Sequence, residues 1–214
     1  MNTTNMLQVE KSDRPPSNER ATGTKGKIRR QQIIDAAKHA LIEGGSNSLV
    51  LRDVAEQIGI THGNLQYYFP TKNDLLIAIF DQAVEKYTES MKVAVSETST
   101  RKGRLDAIVD AGVAELKTPE TALWRMMMSL ADHNPDMASI LKKENDLYEQ
   151  VVAEELKIIS PNLSVQRRRH IARIIHAILD GLGVQFSYED PESPEMRALA
   201  SEIKIALYAV LEAE

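Results

Sequence analysis

Leu51–Phe69 reads LRDVAEQIGITHGNLQYYF, and its spacing decides the fold class. Leu51, Val54, Ala55 and Ile58 fall at i, i+3, i+4 and i+7, the apolar face of a short helix from Leu51 to Ile58. Gly59 ends that helix, because the turn there asks for a left-handed backbone that glycine adopts without strain. Thr61 is placed to cap a second short helix running to about Tyr68, and Pro70 closes it. Leu65 and Phe69, four apart, are the apolar pair that holds this second helix on its domain. A helix, a turn containing glycine and a helix of similar length make a helix-turn-helix over about 51–69. In that motif the first helix crosses the DNA backbone and the second lies in the major groove. Periodicity alone also allows an ordinary helical hairpin with a polar face.

Outward from this stretch the period stays helical. Ile33, Ala36, Ala37 and Ala40 share one face of a helix from about Ile28 to Glu43, stopped by Gly44-Gly45. A longer helix starts near Thr71, with the carboxylate Asp74 in its first turn, and continues to about Val95. After a polar break at Ser96–Thr100, helical segments are expected at 102–116, 120–132, 135–159, 164–188 and 194–212. Pro119, Pro135, Pro161, Pro191 and Pro194 lie at or near their ends. No stretch alternates with a period of two and no unit repeats, so the expected fold is all-α with nine helices.

The net charge of −5 is unevenly spread. Residues 1–75 hold ten Lys/Arg against eight Asp/Glu, whereas 76–214 hold sixteen against twenty-three. Within 14–30, Arg14, Arg20, Lys25, Lys27, Arg29 and Arg30 face only Glu19. An acidic body with a basic N-terminal segment suits a protein that meets phosphates at one end, although a solvated tail has the same composition. Residues 1–26, rich in Ser, Thr, Asn, Pro and Gly, have too few apolar side chains to fold alone and are expected to form a disordered basic arm. The polar start at Met1–Gln8 does not read as a secretory signal, and no stretch approaches the roughly 20 apolar residues of a membrane span. The chain has no cysteine, which excludes disulfides and thiolate chemistry and fits the cytoplasm.

Arg30–Leu76 resembles the DNA-binding domain of the tetracycline-repressor (TetR) family. The resemblance is carried by Ile33-Ile34-Asp35-Ala36-Ala37, the Gly44-Gly45 stop and Leu51-Arg52-Asp53-Val54-Ala55. It continues through Gly59-Ile60-Thr61-His62-Gly63-Asn64-Leu65 and Tyr67-Tyr68-Phe69-Pro70-Thr71-Lys72-Asn73-Asp74-Leu75-Leu76. Farther on, Ala177–Gln185 looks like the penultimate helix of many members, which serves dimerisation. The resemblance implies a DNA-binding domain at 27–87 and a ligand-binding and dimerisation domain at 88–214. It implies a bacterial transcriptional regulator: a homodimer that represses from a palindromic double-stranded operator until a small, mostly apolar effector releases it. An effector-independent nucleoid or division protein of the same fold is the alternative, and an all-α protein that never touches DNA is a third. Two positions depart from the family pattern. Gln66 stands where a phosphate-binding Tyr is usual, and Leu49 and Val50 stand where a Ser/Thr cap usually opens the second helix.

The expected DNA-contacting residues are Arg52, Thr61, His62, Gly63, Asn64, Gln66, Tyr67, Tyr68 and Lys72. Asn and Gln suit bidentate contact with adenine, Tyr67 or Tyr68 can take over the phosphate, and Lys72 at a helix start can grip another. Candidates for a ligand site are Trp124, Met127, Met128, Glu144, Tyr148, His176 and Phe186. Trp124, Met127, Met128 and Ala131 form a helical stripe that is either plain core or an adaptable apolar wall. Glu144 interrupts an apolar stripe, either to bind a cationic ligand or as an edge carboxylate whose head reaches water. The expected dimer interface is Ile174, Ala177, Ile178, Gly181, Leu182 and Gln185, in a stripe that also takes in Ile171 and Ile175. It is completed by Leu199, Ile203, Ala206 and Val210 of the last helix. Catalysis finds no support: His170 and His176 are six apart, and no metal-ligand pair, phosphate loop or nucleophile elbow is present. Asp180 reads as a surface or dimer-contact carboxylate before it reads as a catalytic acid. No cofactor, metal or membrane partner is expected.

Overall fold

The computed structural model describes residues 23–213. Within them nine α-helices follow in order, and there is no strand. They are α1 (Thr24–Gly44), α2 (Leu51–Gln57), α3 (His62–Tyr68), α4 (Lys72–Ser96), α5 (Arg101–Ala114), α6 (Pro119–Ala131), α7 (Pro135–Ile159), α8 (Val165–Gln185) and α9 (Pro194–Glu212). Short 3-10 turns at Ser46–Ser48 and Glu115–Lys117 fill two of the joints.

The boundaries follow from local chemistry. Thr61 accepts the Asn64 N–H at 3.2 Å and caps α3. Thr71 and Asp74 cap α4 reciprocally, satisfying two N–H groups that the helix leaves orphaned. Gly59, at φ 67°, makes the left-handed turn between α2 and α3. The missing cap of α2 is real: Val50 precedes the helix and contributes no side-chain bond. The basic arm needs correcting at its end, since α1 begins at Thr24 and takes Thr24–Gly26 into the helix. The rest of the expected arm lies outside the described residues.

Two hydrophobic clusters hold the chain together. The first joins Ile33, Ala37 and Leu41 of α1 to Leu65 and Phe69 at α3 and to Leu75 and Ile79 of α4. It also takes in Leu123 and Met127 of α6 and Met137 of α7, so the helix-turn-helix shares a core with the body. The second packs the end of α4 with α5, α7, α8 and α9, around Leu105, Val152, Leu156, Ile171 and Ile175. The expected domain boundary at 87/88 therefore falls inside one continuous helix, α4.

On α8 the expected dimer stripe divides. Ile171, Ile175 and Leu182 turn into the subunit's own core, with Leu182 only 5% exposed, so Leu182 has no surface to offer a mate. Ile174, Ala177, Val184 and Gln185 face outward, with Ile178 and Gly181 at the border. On α9, Ala206 is exposed, whereas Leu199, Ile203 and Val210 are half-buried against the second cluster. Ile205, outside the expected set, is exposed instead.

Candidate DNA-binding surface and ligand cavity

Helix α3 is fixed from behind and open in front. Leu65 and Phe69 are fully buried, and the Arg30 guanidinium lies 5.0 Å from the centre of the Phe69 ring. The opposite edge presents Thr61, Gly63, Asn64, Gln66 and Tyr67, all exposed, with His62 and Tyr68 half-buried beside them. Tyr67 and Tyr68 meet edge-to-face at 5.2 Å between ring centres. Arg52 is exposed near the start of α2. Lys72 is also exposed, and its Nζ donates to the Ser46 carbonyl at 2.8 Å. The expected DNA-contacting residues thus lie at or near the surface of α2, α3 and the start of α4.

A cavity with about 680 Å³ of empty space, counted out to its mouth, lies in the body among α4, α5, α6, α7 and α8. Its apolar wall includes Phe80, Val84, Tyr87, Leu116, Trp124 and Leu179. Gly183 admits Trp124, since a Cβ there would sit 3.3 Å from the indole. Of the expected ligand residues, Trp124, Met127 and Glu144 line the cavity. Tyr148 and His176 stand behind it in a stack, with Tyr87 6.0 Å and His176 4.3 Å from the Tyr148 ring centre. Met128 and Phe186 do not reach it: Met128 is turned about 100° around α6 from Met127, and Phe186 packs on the second cluster.

Four carboxylates border this cavity, and their surroundings differ. Glu120 Oε1 accepts from Lys38 at 2.9 Å and Lys86 at 2.6 Å. Burial pushes its pKa up, but these hydrogen bonds prevail and hold the carboxyl at about 2. Glu115 Oε2 accepts the Thr118 hydroxyl at 2.7 Å. Glu144 is 4% exposed, and its Oε2 has no hydrogen-bond partner. The nearest base is His176, whose Nε2 is 4.0 Å from Oε1. Burial first, and the Asp180 charge second, push Glu144 up to about 8. Burial raises Asp180 to about 7, while burial lowers His176 and keeps that ring neutral. An edge carboxylate reaching water is therefore ruled out for Glu144, whereas Asp180 lines the cavity with its side chain still 35% exposed.

Sequence reasoning missed Tyr87, Glu115, Glu120, Thr121 and Asp180 as cavity residues. A signal existed only for Asp180, a carboxylate four residues from His176 on one helix face, with Nε2 and Oδ1 3.5 Å apart. Polar ties join the cavity region to the DNA-reading end. Lys38 of α1 reaches Glu120, and Asn73 at the start of α4 bonds Asn134 and Asp136 at the start of α7. Among the described residues no group of acidic and histidine side chains could hold a metal ion, and no helix is long and apolar enough to cross a membrane.

Residues 33–79 match the family described as bacterial regulatory proteins, tetR family, and residues 101–203 match the BetI-type transcriptional repressor C-terminal family. The HTH-type transcriptional regulator BetI of Serratia proteamaculans is 26% identical over 178 residues, covering 81% of this chain and 88% of that protein. Among solved structures, a TetR transcription regulator of Haloarcula marismortui superposes with a TM-score of 0.70 at 23% identity, over 84% of this chain and 98% of that one. A transcriptional regulator of Saccharomonospora viridis, solved in complex with choline, gives 0.68 at 18% identity, over 88% of this chain and 97% of that one. These two structures share the fold.

Proposed function

Because the chain belongs to the TetR family of bacterial regulatory proteins and is a helix-turn-helix transcriptional regulator, we propose that it is a repressor that holds a palindromic operator as a homodimer and leaves it when a small organic cation fills the cavity. One observation carries this reading. Helix α4 begins four residues after the end of α3 and contributes Phe80, Val84 and Tyr87 to the cavity wall. Any ligand that prefers a different placement of α4 thereby moves the helix that reads DNA. Its leverage is its difference in affinity between the two placements, and a tenfold release needs about 1.4 kcal/mol.

The cation follows from the wall chemistry. Aromatic faces at Tyr87 and Trp124 beside carboxylates attract a poorly hydrated positive charge. The choline held by the Saccharomonospora viridis regulator agrees with that chemistry. Asn64 and Gln66 would read base edges, with Arg52, Thr61, His62, the Gly63 backbone, Tyr67, Tyr68 and Lys72 available to phosphates or bases.

The mate would pack on the outward face of α8 and α9, where Ile174, Val184 and Ile205 are exposed. A Cβ at Gly181 meets nothing within 4 Å in the subunit. Gly181→Arg should therefore give a folded monomer with little operator affinity by sedimentation and gel shift, and a mutant that stayed dimeric would place the interface elsewhere. Selecting operators from random duplexes, then footprinting with and without choline chloride, tests the whole. A two-fold symmetric site that choline clears is expected. Even coverage along the DNA would instead mark the effector-independent alternative.

A further inference from the structure

We propose that Glu144 carries a proton while the cavity is empty and exchanges it for the organic cation, so that effector binding is coupled to proton release. The inference rests on the cation reading above and adds to it the anchoring residue and a sensitivity to pH.

The geometry separates Glu144 from the other carboxylates. Glu120 is already balanced by two ammonium groups, and Glu115 is held by a hydroxyl. The Glu144 carboxyl is almost wholly buried and lines the cavity, yet one of its oxygens meets no donor. The titratable groups that face it across the cavity and the packed helices are Tyr87 of α4, Glu115, Glu120 of α6, Tyr148 of α7, and His176 and Asp180 of α8. Among the described residues, cations of α1, α4, α6 and α8 around this region have partners of their own. Lys38 and Lys86 share Glu120, Arg173 binds Glu149 at 2.8 Å, and Arg125 reaches the Gly183 carbonyl at 3.4 Å and lies over the Tyr188 ring.

An ionised Glu144 in the empty cavity would thus face Asp180 with no ammonium or guanidinium among the described residues paired to either of them, and a neutral imidazole beside both. Protonation removes that conflict, consistent with a carboxyl raised to about 8. A cation entering against Tyr87 and Trp124 supplies the missing charge. The O–H bond of Glu144 then breaks, the proton passes through the mouth to solvent, and the carboxylate stays behind as the counter-ion. A neutral ligand of the same shape gains nothing from this exchange, so Glu144 also selects for charge.

Calorimetry of the full chain with choline chloride, repeated in buffers of different ionisation enthalpy, counts the protons. About one proton should leave per choline near pH 7. Affinity should rise about tenfold per pH unit up to roughly pH 8 and level off above it. E144Q should lose most of that release and bind choline at least about tenfold more weakly at pH 8, while an isosteric neutral alcohol keeps its affinity. Infrared spectra without ligand give a second reading: a protonated carboxyl band near pH 7 that weakens in E144Q to the part Asp180 contributes. Choline binding with no proton release, or with release unchanged in E144Q, overturns the proton exchange and leaves the cation reading standing. No choline binding at any pH between about 6 and 9 overturns the cation reading and the exchange with it.

Discussion

The DNA-reading end and the cavity treat polarity in opposite ways. Around α3 every polar side chain that matters is on the outside or caps a helix, while Leu65, Phe69, Leu75 and Ile79 fill the inside. Around the cavity a carboxylate and an imidazole are themselves buried, at 4% and 7% exposure. The first arrangement is what stability alone would select. The second opposes stability, because a buried carboxylate without a partner costs free energy unless it stays protonated. A protein keeps such a group where a ligand will meet it. The difference teaches that the same kind of experiment, removal of one buried group, should have opposite signs in the two regions.

The largest effect is expected at the DNA-reading end. Phe69→Ala removes a fully buried ring that also carries the Arg30 guanidinium, and should cost about 3–5 kcal/mol. Thermal unfolding followed by circular dichroism should show that loss, and operator binding should disappear with it. A variant nearly as stable as the parent would mean that α3 is held by something other than this core.

Next in size is recognition itself. Asn64 is exposed on the open edge of α3, and among the described residues only its backbone N–H is engaged, by Thr61. Asn64→Ala should leave the unfolding curve in place and cost about 1–3 kcal/mol of operator affinity at one base position. Gln66→Ala is the companion measurement, because Gln66 occupies the place where the family usually has a tyrosine. A loss spread evenly over all sequences would assign either residue to a phosphate.

The cavity should answer with the other sign. Glu144 ionises near 4.5 when unfolded and near 8 when folded, so between those values the folded state holds the extra proton and stability falls as pH rises. Asp180 adds the same slope up to about 7. His176, lowered by burial, opposes it below 6.5, where the unfolded ring protonates first. The clean window is therefore about pH 6.5–8, and there the parent should lose on the order of 1–2 kcal/mol that Glu144→Gln retains. Denaturant unfolding at the two ends of that window measures it. Parallel curves for parent and variant would show Glu144 to be ionised throughout.

These two regions also differ in how far the sequence reveals them. All nine helices, the cap at Thr61, the start near Thr71 with Asp74 in its first turn, and the turn at Gly59 are legible because each depends on neighbours within a few residues. The start of α1 is harder to read, since Thr24–Lys27 extend the helix without an apolar face to signal it. The two sides of α8 blur together for a similar reason. Inward Ile171, Ile175 and Leu182 and outward Ile174 and Val184 are all apolar, and periodicity cannot say which side the subunit covers itself. The cavity is the least legible feature. Its wall is drawn from five helices and a turn, so Tyr87, Glu120 and Asp180 converge only after folding. Met127 and Met128 look alike in the chain and are separated by a single helical step. Glu144 was visible as a break in a stripe, but only the packing of α7 against α8 tells that it is buried.

The smallest effect is expected where the two regions meet the same lysine question. Lys72 was assigned to a phosphate by its place at the start of α4, yet its Nζ donates to the Ser46 carbonyl. An ammonium has three N–H groups, so one bond to Ser46 leaves two for a phosphate and fixes where they point. Because the side chain is exposed, the bond itself should add little to stability, well under 1 kcal/mol. Lys72→Ala should then leave unfolding almost unchanged, weaken binding to all duplexes alike, and lower the slope of log affinity against log salt by about 1. Lys72→Arg, which keeps the charge but not the compact ammonium, should restore the salt slope more fully than the affinity. Salt titrations of operator and unrelated duplex in parallel distinguish the cases. If affinity and slope are both indifferent to Lys72→Ala, the lysine serves the turn at Ser46–Ser48, and the open edge of α3 must hold its phosphates by other groups.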